Sequence, residues 1–222
     1  MVASNIRKAQ DLPQVIPVFP LEGVLLLPHG MLPLNIFEPR YLNMVDDAMA
    51  GERIIGMVQA LPGGDRERPS LASIGCAGKI TSFAETSDGR YLITLTGLCR
   101  FDLVREVPAV GGYRRVLADF APYAADLATA SEISIDRDRL VNALRAYFIQ
   151  RDIAVDWDAI AETPDEGLVT SLAMLCPFEP NEKQALLQSP DLTERGRVLT
   201  ALIEMALLGN DAGDAARHWR GG

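Results

Sequence analysis

Two histidines, three lysines and three cysteines are the groups through which this chain of 222 residues could carry acid–base or nucleophilic chemistry. A serine hydrolase needs a histidine as general base, which leaves His29 or His218. His29 lies in Pro28-His29-Gly30, an exposed turn between two apolar runs, and His218 stands among the small and polar residues near the C-terminus. Cys76, Cys99 and Cys176 are odd in number and widely spaced, which fits neither a disulfide framework nor a paired-cysteine metal site. They read as small buried thiols of a reducing compartment. A Cys-His pair built on Cys76 or Cys99 would have to be assembled in space. A Ser-Lys dyad would use Lys79 or Lys183, both of which read as solvated charges.

No lysine follows a glycine-rich phosphate loop, so ATP hydrolysis is not expected. The carboxylates of Asp46-Asp47, Asp156-Trp157-Asp158 and Asp165-Glu166 are neighbours along helical stretches, where adjacent side chains diverge. Capping and solubility explain them better than a metal or a glycosidic bond. No catalytic residue, cofactor or metal is expected.

The formal net charge of -9 and the pI near 4.8 disfavour the clustered cations that phosphate backbones demand, so nucleic acid is not an expected partner. The first residues lack the layout of a signal peptide, and the longest apolar stretch, 201–208, is interrupted by Glu204. A cytoplasmic protein without a membrane span is the expectation. Apolar residues make up 48% and charged residues 23%, as in ordinary globular chains.

The elements that must position any site divide into two halves. Short apolar runs broken by Gly and Pro predict strands over 15–19, 24–27, 31–37, 53–60, 74–85, 91–96, 99–106 and 113–120. Asp88-Gly89 supplies positive-φ residues for a tight hairpin turn. Tyr41, Leu42, Val45, Ala48 and Met49 recur at helical spacing after Pro39, with Gly51 placed for a left-handed cap. The breaker-rich stretch 62–69 reads as an exposed loop.

After a small-residue linker over 124–131 the period becomes helical. Leu140, Val141, Leu144, Tyr147 and Phe148 form one stripe, and Leu168, Val169, Leu172 and Leu175 another. Thr163 to Glu166 has the spacing of a capping box, and Ser189-Pro190-Asp191 opens the last long helix in the same manner, with Gly209 ending it. The expected organisation is a β subdomain over 13–123, a helical bundle over 132–209, and tails over 1–12 and 210–222.

The string Val18-Phe19-Pro20-Leu21-Glu22-Gly23-Val24-Leu25-Leu26-Leu27-Pro28, followed by Met31-Leu32-Pro33-Leu34-Asn35-Ile36-Phe37-Glu38-Pro39-Arg40-Tyr41, closely resembles the opening of the Lon protease N-terminal domain. Ile74 to Ile80 looks like that family's strand with a Val-Gly-Thr-type motif. Leu95 to Phe101 looks like its Glu-Gly-x-x-Arg segment, with Thr96 where an acidic residue is commoner. Glu182 to Leu187 and then Leu192 to Arg195 resemble its closing Lys-Gln-x-Leu-Leu and Arg elements. The resemblance runs over residues 13–209.

It implies an α+β fold, a PUA-like β pseudo-barrel with one helix followed by a helical bundle. It also implies a non-catalytic role in recognising unfolded or tagged protein segments, without the ATPase and Ser-Lys peptidase parts. An RNA-binding module is the alternative that a PUA-like barrel suggests, and a specific protein partner would also suit a stand-alone domain. The surface expected to hold an extended peptide is Leu27, Pro28, Met31, Leu32, Leu34 and Phe37, with Tyr41 beside it. Glu38 and Arg40 are expected to cap or pair locally.

Overall fold

The computed structural model describes residues 6, 8–61, 68–128 and 134–218, so residues 62–67 of the expected loop, 129–131 of the expected linker and Trp219 lie outside the described residues. A short apolar run makes β1 (Val15–Pro20), whose Ile16 and Val18 are fully buried on either side of half-buried Pro17. β2 (Met31–Ile36) follows, then helix α1 (Pro39–Ala50), β3 (Ile54–Val58), β4 (Ile74–Glu85), β5 (Tyr91–Val110) and β6 (Tyr113–Asp119). β1 runs parallel to β3, which is possible because β2 and α1 form the crossover between them. The other pairings are antiparallel, and β6 joins both β1 and β5. The pairings β5–β4–β3–β1–β6–β5 therefore close on themselves, while β2 adds to β5 outside that ring.

The strand expected over 24–27 is a correction. These residues pair with no strand and instead cross the core as extended chain, with Leu25, Leu26 and Leu27 all buried. An unbroken apolar run reads as a buried strand, but here a side chain and a turn take up backbone bonds in place of a ladder: Gly30 N–H bonds the Leu27 carbonyl. Gln59 accepts from Gly23 N–H and donates to the Val24 carbonyl, both at 2.9 Å. Burying each leucine contributes about 1.5–3 kcal/mol, which holds the segment without a ladder. Gly97 makes room for it: a Cβ there would stand 1.9 Å from the Leu27 carbonyl oxygen.

The two strands expected over 91–96 and 99–106 are one continuous strand of 20 residues, because Gly97 pairs with Gly78 and Cys99 with Ala77 while Leu98 is taken up as a bulge. Its first part pairs with β2 and its later part with β6. The hairpin from Glu85 to Tyr91 is antiparallel as expected, but of Asp88-Gly89 only Gly89 has positive φ, and the loop closes with Thr86 N–H on the Arg90 carbonyl. Gly51 is not left-handed either (φ -110); that conformation falls to Arg53 (φ 63), whose N–H caps the Ala48 carbonyl. Arg40 and Glu38 pair with each other, Nε to Oε2 at 3.0 Å.

The helical half comprises α2 (Arg137–Gln150), α3 (Trp157–Glu162), α4 (Asp165–Leu175), α5 (Pro180–Gln188) and α6 (Leu192–His218). The capping box expected at 163–166 does not form. Thr163 Oγ1 donates back to the Ala159 carbonyl of the preceding helix, and Glu166 is drawn away to His29. Asp191, not Ser189, caps α6 by accepting from Glu194 N–H at 2.8 Å, while Ser189 Oγ donates to Ala185. α6 runs through Gly209 to His218, since a glycine costs a helix only about 1 kcal/mol and stops it only where the backbone turns left-handed.

One hydrophobic cluster joins both halves, from Leu25, Leu26 and Met44 to Leu144, Leu172 and Leu199. A second fills the closed sheet with Ile16, Val18, Phe101 and Val116. Leu12 and a short 3-10 turn at Ala9–Asp11 pack against it.

Candidate functional site

The buried segment 24–27 ends in a tight turn that delivers the chain to β2. Gly30 N–H closes it on the Leu27 carbonyl, and His29 takes a left-handed conformation with φ 64 while its N–H bonds Gly97. Gly30 presses against α4, where a Cβ would stand 2.4 Å from Met174 Sδ and 3.2 Å from Thr170 Cγ2. Beyond that contact β2 and α4 diverge and leave an open cleft of about 490 Å³. Gly30, Met31, Leu32 and Pro33 form one wall; Pro164, Gly167, Ser171, Met174 and Leu175 form the other. Met31 is 71% exposed and Leu175 80%, an arrangement that leaves large apolar groups facing water on both walls.

Across one end of the cleft His29 Nδ1 meets Glu166 Oε1 at 2.6 Å. These are the charged or titratable side chains of its lining, and each is taken up by the other. Ser171 and Thr170 share the cleft, yet neither is a hydrogen-bond partner of His29, so a nucleophile–base pair is not assembled there. Cys99 points into the closed sheet and donates to the Tyr123 carbonyl at 3.2 Å; burial pushes its thiol up to about 12.

Of the residues expected to form a peptide surface, the structure brings Met31 and Leu32 to the cleft. Leu27, Pro28 and Tyr41 are buried, and Leu34 is half-buried against the core. Phe37 is exposed beyond the far end of β2, with the Arg90 guanidinium 5.9 Å from its ring. The α4 wall was not legible in the sequence as part of a site. Its one signal is Leu175, an apolar residue at the very end of a helix, which by spacing belongs to the inward stripe but faces solvent.

Behind the cleft the halves are fastened by buried charge. Lys183, expected to be a solvated charge, is 6% exposed and donates to the Gly23 carbonyl at 2.8 Å and the Met174 carbonyl at 3.3 Å. Burial holds its ammonium below the usual lysine range. The reason for the difference is tertiary: α5 packs its Lys183 face over the loop that enters the core, so the amine replaces a missing backbone donor. Arg100 is buried as well, bonded to Asp126 and to the carbonyls of Leu187, Ser189 and Pro190. Arg195 donates to the Leu186 carbonyl, and burial, with Arg100 nearby, brings it down to about 10.

The family profile of the ATP-dependent protease La (LON) substrate-binding domain matches residues 15–205. The chain belongs to that family. Arg100 and Lys183, which tie the two halves together, and Arg195, which ties α6 to α5, all fall in the segments that carry the resemblance in the sequence. Lon protease of Syntrophus aciditrophicus is 25% identical over 210 residues, covering 90% of this chain and 26% of that protein. Lon protease 2 of Myxococcus xanthus is 24% identical over 209 residues, covering 91% and 25%. The chain thus spans about a quarter of the length of these relatives.

Among solved structures, a Lon N-terminal domain protein from Xanthomonas campestris superposes with a TM-score of 0.59 at 24% identity, covering 84% of this chain and 97% of that one. The N-terminal domain of Mycobacterium avium complex Lon protease gives 0.55 at 18%, covering 85% and 97%. The fold is shared with both, and in this chain it is a mixed α+β arrangement with a six-stranded sheet. Among the described residues no helix is long and apolar enough to cross a membrane, and no group of three or more metal-binding side chains occurs.

Proposed function

We propose that this chain is a non-catalytic receptor that holds extended, apolar protein segments in the cleft between β2 and α4, as an adaptor in protein quality control. The observation that carries the reading is the pair of opposed apolar walls, exposed at Met31 and Leu175, on a chain of a substrate-binding family. Methionines at Met31 and Met174 suit such a role, since an unbranched, polarizable side chain adapts to varied partners. The closed sheet supports the PUA-like pseudo-barrel description, and the three free thiols support a reducing, cytoplasmic setting.

The test is binding of fluorescein-labelled, reduced and carboxymethylated lysozyme, followed by anisotropy. Wild-type protein should bind in the micromolar range. A Met31→Asp, Leu175→Asp double variant should keep its circular dichroism, because both side chains already face water, and should lose at least about tenfold in affinity. Equal binding by the folded variant would remove the cleft from the reading. No binding by the wild type to this or other unfolded proteins would remove the receptor role itself.

A further inference from the structure

The register of β2 decides which of its backbone groups are free. Gly97 donates its N–H to the Gly30 carbonyl at 2.8 Å, and Leu32, Leu34 and Ile36 follow with the same parity, opposite Leu95, Ile93 and Tyr91. Bonded and non-bonded pairs alternate along an antiparallel ladder. Leu32, Leu34 and Ile36 therefore bond β5, and Met31, Pro33 and Asn35 turn their backbone polar groups away from it. Thr94 agrees from the other side: it stands opposite Pro33, and its carbonyl accepts from Thr81 Oγ1 on β4. Pro33, with no N–H to give, occupies a position where the sheet asks for none.

Among the described residues β2 pairs with β5 alone, so this edge is free. The cleft is lined on this side by five consecutive residues, His29 to Pro33, of which Met31, Leu32 and Pro33 belong to β2. Side chains alternate between faces along a strand, so a surface that touches three successive strand residues is the strand's edge. Its lining offers no unspent charge, because His29 and Glu166 are engaged with each other. The net charge of -9 further disfavours acidic segments.

Resting on the substrate-binding reading above, we propose that the occupant of the cleft is an uncharged extended peptide that adds to β2 as a new strand, bonded to the backbone of Met31 within the cleft and of exposed Asn35 just beyond it, on either side of Pro33.

The experiment uses octapeptides tiled along reduced, carboxymethylated lysozyme. The tightest binder is N-methylated one amide at a time. Strand addition predicts an alternating profile, with roughly tenfold losses at every second amide and changes under about twofold between them. In parallel, amide hydrogen exchange on the protein should slow at Met31 and Asn35 when the parent peptide binds, and stay unchanged at Leu32 and Leu34. Asn35→Pro should keep the fold and weaken binding about tenfold, whereas Asn35→Ala should not. A flat methylation profile with unslowed Met31 and Asn35 amides overturns strand addition while leaving the cleft as the binding site. Failure of every parent octapeptide to bind overturns both.

Discussion

The Arg100 guanidinium grips the Asp126 carboxylate with two bonds of 2.8 Å, from Nε and from Nη2, and both side chains are almost fully buried. Asp126 also accepts from the Arg100 N–H at 3.0 Å. The remaining Arg100 donors reach the carbonyls of Leu187, Ser189 and Pro190, so one side chain ties β5 to the turn between α5 and α6. Burial alone would disfavour the arginine charge, but the bond and charge of Asp126 outweigh it and raise its pKa.

Removing one partner of such a pair leaves a buried charge uncompensated. Arg100→Met and Asp126→Asn should each lower stability by about 3–5 kcal/mol in urea unfolding. A double-mutant cycle should show strong coupling, with the double variant less destabilised than the sum. Additive single effects would show that the pair does not act as a unit.

Gly97 admits the buried segment onto the sheet, and its missing side chain is the reason. Gly97→Ala would force a Cβ against the Leu27 carbonyl oxygen, backbone against backbone, where no rotamer can relieve it. The expected cost is about 3 kcal/mol or more. Gly89→Ala offers the contrast: its Cβ meets open space, and only the positive φ of 79 is strained, so the loss should stay near 1 kcal/mol.

Arg114 and Arg68 both bind Glu106, and the Arg114 bond, ahead of the opposing effect of burial, holds its carboxyl below the ordinary value of 4.5. A carboxylate with a depressed folded pKa binds fewer protons folded than unfolded. Its stabilisation is present above the ordinary value and is lost as pH falls through the folded one. Thermal unfolding followed from neutral pH downward should therefore show a drop in Tm on acidification that is shallower in Glu106→Gln. An unchanged slope would mean that Glu106 does not drive the acid limb.

All three cysteines are buried and free. Burial pushes Cys76 well above the ordinary thiol range, Cys99 to about 12 and Cys176, despite the opposing charge of Lys183, to about 11. A disulfide-exchange reagent at mildly alkaline pH should find no fast thiol in the native protein and all three after denaturation. A fast-reacting native thiol would locate an opening of the core.

The elements with strong local signatures were legible in the chain itself. Short apolar runs bounded by Gly and Pro mark strands such as 15–19, and Pro39 fixes the start of α1 because its ring sets φ where the first helical residue needs no donor. The specific strings around 18–41, 95–101 and 182–195 pointed to the family that the profile then matched. Local patterns failed where a partner distant in sequence competes. Glu166 has the spacing of a capping box but finds His29, 137 residues away along the chain, and Lys183 has the look of a surface lysine but is claimed by Gly23, 160 residues away.

The same division holds for the site. The residues of β2, with exposed Met31 and half-buried Leu32, could be picked out as apolar and extended from sequence, because strand periodicity and Pro33 are local properties. Which of them face outward, and that α4 supplies the opposing wall, were decided only by the packing of Gly30 on Met174 and Thr170. A cleft is a gap between two surfaces brought together by the core, and here the walls meet where Gly30 packs on α4. Sequence by itself determined the strand, the helix and the family; the long-range contacts that place one against the other determined that there is a cleft.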